Sequence, residues 1–197
     1  MIGPFRLVRS GSVDTYVADV STEYLRLIRQ LAVEILIVLD SPADNEMARM
    51  VEATTGGESQ REAPMERALN YLLAPMSEDE ADAARLRALT EDYLRAEKSS
   101  RLRRIARALD RLIGAGKTRV EVAAEEAWDW LSGMNDVRLG LAGELGIRNN
   151  EDAHRVEELA FAQTPSGRDQ SAAAIYTVIT WWQDSLLSAL ISAQEEH

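Results

Sequence analysis

The chain has no cysteine among its 197 residues. Disulfides, thiolate nucleophiles, thiol redox switches and zinc sites built on sulfur are therefore excluded, and the six methionines are its only oxidisable sulfur. Histidine is nearly as scarce, with two residues, His154 and the last residue His197. Glu151-Asp-Ala-His154 has the Glu-x-x-His spacing of di-iron carboxylate bundles, but such a site needs two of these motifs on facing helices. An exposed histidine in a polar segment is the better reading, and two histidines so placed support no Ser-His-acid arrangement. Positive charge is in deficit, with 22 basic against 33 acidic residues and a net charge of −11. That balance repels phosphate backbones, so direct nucleic-acid binding is not expected. No apolar run reaches the roughly 18 residues of a membrane span. The opening MIGPFRLVRSGS lacks the apolar core of a secretion signal. A soluble cytoplasmic protein without membrane contact is the expectation.

What is abundant is Ala, Leu, Arg and Glu, which points to a mainly α fold: one helical-bundle domain over residues 1–197 with a small N-terminal antiparallel β-element of two or three strands. Phe5 to Val8 and Val13 to Val17 read as a hairpin within residues 1–18. Residues 118–122, which alternate with Val120 and Val122 on one face, are a candidate third strand. Ser21 caps a helix from Thr22 to about Leu39, with Leu27, Leu31, Ile35 and Val38 as its core face. A second helix is expected from Ser41-Pro to Gly56-Gly57, and a short one from Pro64 to Leu73. Ser77-Glu-Asp-Glu80 is a capping box opening a long helical region to Ile113. Its apolar stripe runs through Leu86, Leu89 and Tyr93, then drifts to Leu102, Ile105, Leu109 and Leu112, with a bend or a change of packing neighbour near Ser99-Ser100. Further helices are expected from Ala124 to Gly146, around Asp152 to Ala160, and from Ser171 to Ala193. The last is apolar on most sides and so central to the core.

Gly114-Ala-Gly-Lys-Thr118 imitates the end of a phosphate-binding loop. That loop needs a further glycine five residues before Gly116, where Arg111 stands, and it must lead from strand to helix. Here the order is helix, turn, strand. The motif reads as a helix stop with glycine in the left-handed conformation.

Two polar features stand out. On a helical wheel Arg138 falls amid Leu131, Met134, Leu141 and Leu145, and a buried guanidinium needs hydrogen-bonded partners. Glu34, Gln183 and Asp184 are the expected partners, forming with Asn135 a buried polar network. The second feature is a basic stretch between Arg95 and Arg119, from which Arg101, Arg103, Arg104, Arg107, Arg111 and Lys117 are candidate partner-binding residues. A solvated face balancing acidic neighbours is the alternative. Trp128 and Trp130 lie two apart on a helix and Trp181 and Trp182 are adjacent, so one of each pair must leave the main core face and can anchor an interface.

The run Glu125-Glu-Ala-Trp-Asp-Trp-Leu-Ser-Gly-Met-Asn-Asp-Val-Arg-Leu-Gly-Leu-Ala-Gly-Glu-Leu-Gly-Ile147 resembles the signature of an actinobacterial family catalogued as a domain of unknown function. Tyr176-Thr-Val-Ile-Thr-Trp-Trp-Gln-Asp184 and Leu89-Thr-Glu-Asp-Tyr-Leu-Arg95 are similar to two further segments of that family. The chain departs from the pattern at Val178, where Trp is frequent, at Trp182, where Leu is usual, and at Asp184 in place of Glu. The family includes an actinomycete regulator of the oxidative-stress response. The resemblance therefore implies a non-enzymatic regulator that works with transcription proteins such as a sigma factor, with no catalytic residues and no cofactor. Thiol sensing does not carry over to a chain without cysteine. The alternative is a small-molecule-binding or enzymatic helical domain with a polar pocket near Arg138, Asn135 and Gln183. A helical homodimer is a third reading.

Overall fold

The computed structural model of the chain describes residues 1–10, 13–40, 67–162 and 167–195. The expected helix from Ser41 to Gly57 and the expected start at Pro64 lie outside the described residues. β1 (Arg6–Ser10) and β2 (Val13–Asp19) pair antiparallel, and β3 (Arg119–Ala123) joins β2, so the sheet runs β1-β2-β3. Register sets Tyr16 opposite Val122 and Ala18 opposite Val120. The period-two pattern of β3 thus turns both valines into the core, as expected. On the outer face Asp19 lies across from Arg119 and bridges it at 3.1 Å and Arg6 at 3.2 Å.

Among the described residues the α-helices are α1 (Thr22–Asp40), α2 (Arg67–Leu72), α3 (Glu80–Gly114), α4 (Ala127–Leu145), α5 (Asn150–Ala160) and α6 (Arg168–Glu195). The fold is mainly α with a small three-stranded antiparallel sheet, in agreement with the composition. Buried residues of β2, β3, α1, α2, α3, α4 and α6, with Phe5 just before β1, form one apolar cluster, and Leu7 of β1 packs against it. Trp182 of α6 is fully buried and stacks on Phe5, with ring centroids 4.8 Å apart, which ties the last helix to the first strand. Trp130 is likewise buried while Trp128 and Trp181 are exposed, so each tryptophan pair divides as the spacing requires. The core face of α1 is centred on Leu25, Ile28, Leu31, Ile35 and Leu39, with Leu27 and Val38 at its flanks.

α3 departs from the expected pattern at both ends of its first half. Its cap is Asp79, whose carboxylate accepts the Asp82 N–H at 2.9 Å. Ser77 turns inward on the Asp79 N–H at 3.1 Å instead, because the charged oxygen is the stronger acceptor for the helix terminus. The helix then runs without interruption for 35 residues, about 50 Å, and its inner face is Ala83, Arg87, Glu91, Ser99, Leu102, Ile105 and Leu109. Leu89 and Tyr93, expected in the core, are 78% and 67% exposed. Their place is taken by a charge chain. Glu91 receives Arg95 at 2.8 Å and Arg87 at 3.8 Å, and Arg95 also donates to the Leu39 carbonyl at the C-terminal end of α1. A cation at the last carbonyls of a helix is favoured by the negative end of the helix dipole.

The Gly-Ala-Gly-Lys-Thr segment closes α3. Gly116 sits at φ +64°, and the Lys117 N–H returns to the Leu112 carbonyl at 2.9 Å. This is a glycine helix stop, and it hands the chain directly to β3.

Candidate functional site

α4, the helix of the signature segment, is surrounded on most sides, and its glycines explain how. A Cβ on Gly133 would run into Ile105 of α3, and one on Gly140 into Ile35 of α1. On Gly143 it would lie 2.9 Å from the Ala68 backbone of α2. Each glycine admits a different helix at close range. The close approach at Gly133 brings the basic middle of α3 against α4, where Asp136 is 2% exposed. Lys98 reaches one carboxylate oxygen of Asp136 at 2.5 Å and Arg101 the other at 3.4 Å. Asp129, two turns earlier on the same face, receives Arg104 at 2.5 Å and Arg101 at 3.5 Å. A buried carboxylate between two cations is electrostatically satisfied, and the two bridges pin the register of α3 on α4.

Beside this seam lies an open cleft of about 560 Å³, lined among others by Tyr93 and Lys98 from α3, Trp128, Asn135 and Asp136 from α4, and Gln183 from α6. Trp128 is 55% exposed on one bank, and Tyr93 stands on the other with Leu89 one helical turn before it. The cleft thus has large apolar groups at its rim and locked charges at its floor. Leu89 and Tyr93 escaped the sequence reading because their spacing is that of a core stripe. The visible signal was that Arg87, Glu91 and Arg95 share an equally regular spacing.

The expected network around Arg138 is corrected. Arg138 is half-buried and donates to Asn135 at 2.8 Å, within its own helix. Glu34 is exposed and accepts from Gln30 at 2.9 Å, and Asp184 is exposed too. Neither joins Arg138. The Gln183 side-chain oxygen and Arg138 Nε are both buried without a hydrogen-bond partner among the described residues. The buried carboxylate of α4 is Asp136, two residues away. On a helix that is covered almost all round, a wheel does not single out which polar group meets a charge.

The basic patch divides. Arg101 is spent on Asp136 and Asp129, Arg104 on Asp129, and Arg103 on Asp40 of α1 at 2.6 Å. Arg107, Arg111 and Lys117 are exposed, with no ion-pair partner among the described residues. His154 is exposed beside Glu157 at 3.9 Å. Among the described residues no helix is long and apolar enough to cross a membrane.

No curated protein and no solved structure matches the chain. Residues 2–190 match the model of the family described as Domain of unknown function (DUF2017), so the match takes in the sheet, α4 with its glycines and the cleft, and the chain belongs to that family.

Proposed function

We propose that the protein is a non-enzymatic regulator that acts by contact with another protein. Its partner is a component of the transcription machinery, a sigma factor or a protein working with one, in the response to oxidative stress. The observation that supports action by contact is the inversion on α3: Leu89 and Tyr93 stand in solvent while Arg87 and Glu91 are buried on the same helix. Such an arrangement runs against local patterning, and departures of that kind concentrate at functional surfaces. Tyr93 and Trp128 line one cleft among polar groups, with Leu89 one turn before Tyr93, and exposed aromatics so placed have the composition of a binding hot spot. The assignment to transcription and oxidative stress rests on the resemblance of the 125–147 segment. The stress signal reaches this chain by a route other than its own thiols, since it has none.

Affinity capture with mass spectrometry from the native cells, comparing wild type with a Leu89→Ser, Tyr93→Ser, Trp128→Ser variant, tests the proposal. A transcription component retained by the wild type and lost from the variant is the expected result. Wild type retaining none, or a variant retaining the same proteins, overturns it. A second reading has one observation in its favour: the unpartnered Gln183 oxygen belongs to a residue lining a cleft large enough for a small molecule. It predicts that a metabolite mixture raises the melting temperature of the wild type and leaves that of Gln183→Leu where it was.

A further inference from the structure

Two of the unpaired cations, Arg111 near the end of α3 and Lys117 on the turn after it, border a second groove of about 770 Å³ at the Gly116 turn. Its apolar lining includes Leu112, Val120 and Trp130, and its rim carries Arg111, Lys117 and Arg119. Arg107 lies one helical turn before Arg111 on the same face. The acids of the rim are Asp19 and Glu121. Asp19 is held between Arg119 and Arg6, which leaves Glu121 opposing Arg107, Arg111 and Lys117. Elsewhere on α3 the chain supplies an acid for its arginines, Asp40 for Arg103, Asp129 for Arg104 and Asp136 for Arg101. At the end of the helix Asp110 is held by Arg29 of α1, and among the described residues no acid pairs with Arg107 or Arg111. At the end of α3 the carbonyls of Arg111, Leu112 and Ile113 accept the N–H groups of Ala115, Lys117 and Gly116.

We infer that this groove docks an acidic amphipathic segment of a partner protein, with apolar side chains seated over Ala108, Leu112 and Ala115 and carboxylates on Arg107, Arg111 and Lys117. Charge complementarity selects the occupant. A second copy of a chain at net charge −11 is repelled as a whole, and an anion without an apolar face leaves the groove floor unused. The inference rests on the reading of the protein as one that works by contact, but it concerns a different surface from the Leu89, Tyr93 and Trp128 cluster.

The probe is a fluorescein-labelled helical peptide with leucines on one face and glutamates flanking them, titrated with the full chain and read by fluorescence anisotropy. A partner peptide has each glutamate replaced by glutamine. The expected result is binding that weakens about tenfold or more in Arg107→Glu, Arg111→Glu, Lys117→Glu, in the glutamine peptide and at raised salt, while Arg168→Glu, placed at the start of α6, leaves it unchanged. Circular dichroism establishes that the triple variant keeps its helix content; if it does not, Lys117→Glu alone, on the exposed turn, carries the comparison with a smaller loss of the same sign. Equal binding by wild type and the charge-reversed variant overturns the inference. So does tighter binding of a DNA oligonucleotide or of inorganic phosphate than of the peptide, or a wild-type dimer in sedimentation that the reversal dissolves. Because the peptide is synthetic, the groove can fail this test while capture still finds a transcription partner, and the reverse.

Discussion

Asp136 carries the heaviest local burden of any single residue. Its carboxylate is buried and shared by Lys98 and Arg101, both mostly buried themselves. Removing one partner of such a pair leaves the others uncompensated, and Asp136→Ala is expected to lower stability by about 2–4 kcal/mol in urea unfolding. Combining it with Lys98→Met should cost less than the sum of the two single changes, because the second removes the charge the first orphaned. An additive result would mean the seam carries no coupling. Asp19 makes the complementary case at the surface. Hydrogen bonding from Arg119 first, then the Arg119 charge and the Arg6 contact, hold its carboxyl below the ordinary 3.8. A carboxyl lowered on folding stabilises fully above its unfolded value, and that contribution fades as pH falls through its folded value. The stability gap between wild type and Asp19→Asn should therefore be constant from neutral pH down to about 5 and close below about 3.8. A gap unchanged at the acid end would show that the Arg119–Asp19–Arg6 cluster does not contribute through charge.

Among the elements, α4 and the end of α3 respond to glycine substitution for opposite reasons. A methyl at Gly143 meets the backbone of α2, which cannot swing aside as a side chain does. Gly143→Ala should cost about 1–3 kcal/mol despite the better helix propensity of alanine. At Gly133 the obstruction is the end of the Ile105 side chain, so the same change is expected to be milder there. Gly116 has open space around it but a positive φ, so Gly116→Ala costs about 1 kcal/mol through backbone strain alone. Thermal unfolding of the three variants should rank Gly143 above both others, and a neutral Gly143→Ala would mean that α2 can withdraw from α4. The first half of α3 teaches a related lesson. Its residues permit either an apolar or a charged stripe to face inward, and α1 selects the charged one because the end of α1 offers a carbonyl to Arg95.

For the whole molecule, half-exposed ion pairs stitch α3 to its neighbours: Arg103 to Asp40 of α1, Arg104 to Asp129 of α4, and Arg29 of α1 to Asp110 of α3. Such pairs contribute little each and weaken with salt, whereas the repulsion within a chain of net charge −11 is relieved by salt. Raising sodium chloride from about 0.02 M to about 0.5 M is thus expected to leave the melting temperature unchanged or slightly higher. A marked fall would show that the stitches outweigh the repulsion. The helical class, the three short strands, the glycine stop at Gly116 and the division of each tryptophan pair were all legible in the sequence, because they follow from composition, periodicity and backbone freedom within a few residues. The partner of Arg138, the capture of Arg101 by Asp136 and the exposure of Leu89 and Tyr93 were decided only by the tertiary structure. Which of two equally periodic faces is buried, and which of several nearby acids a cation reaches, depends on what another helix presents across the gap, and no local pattern contains that.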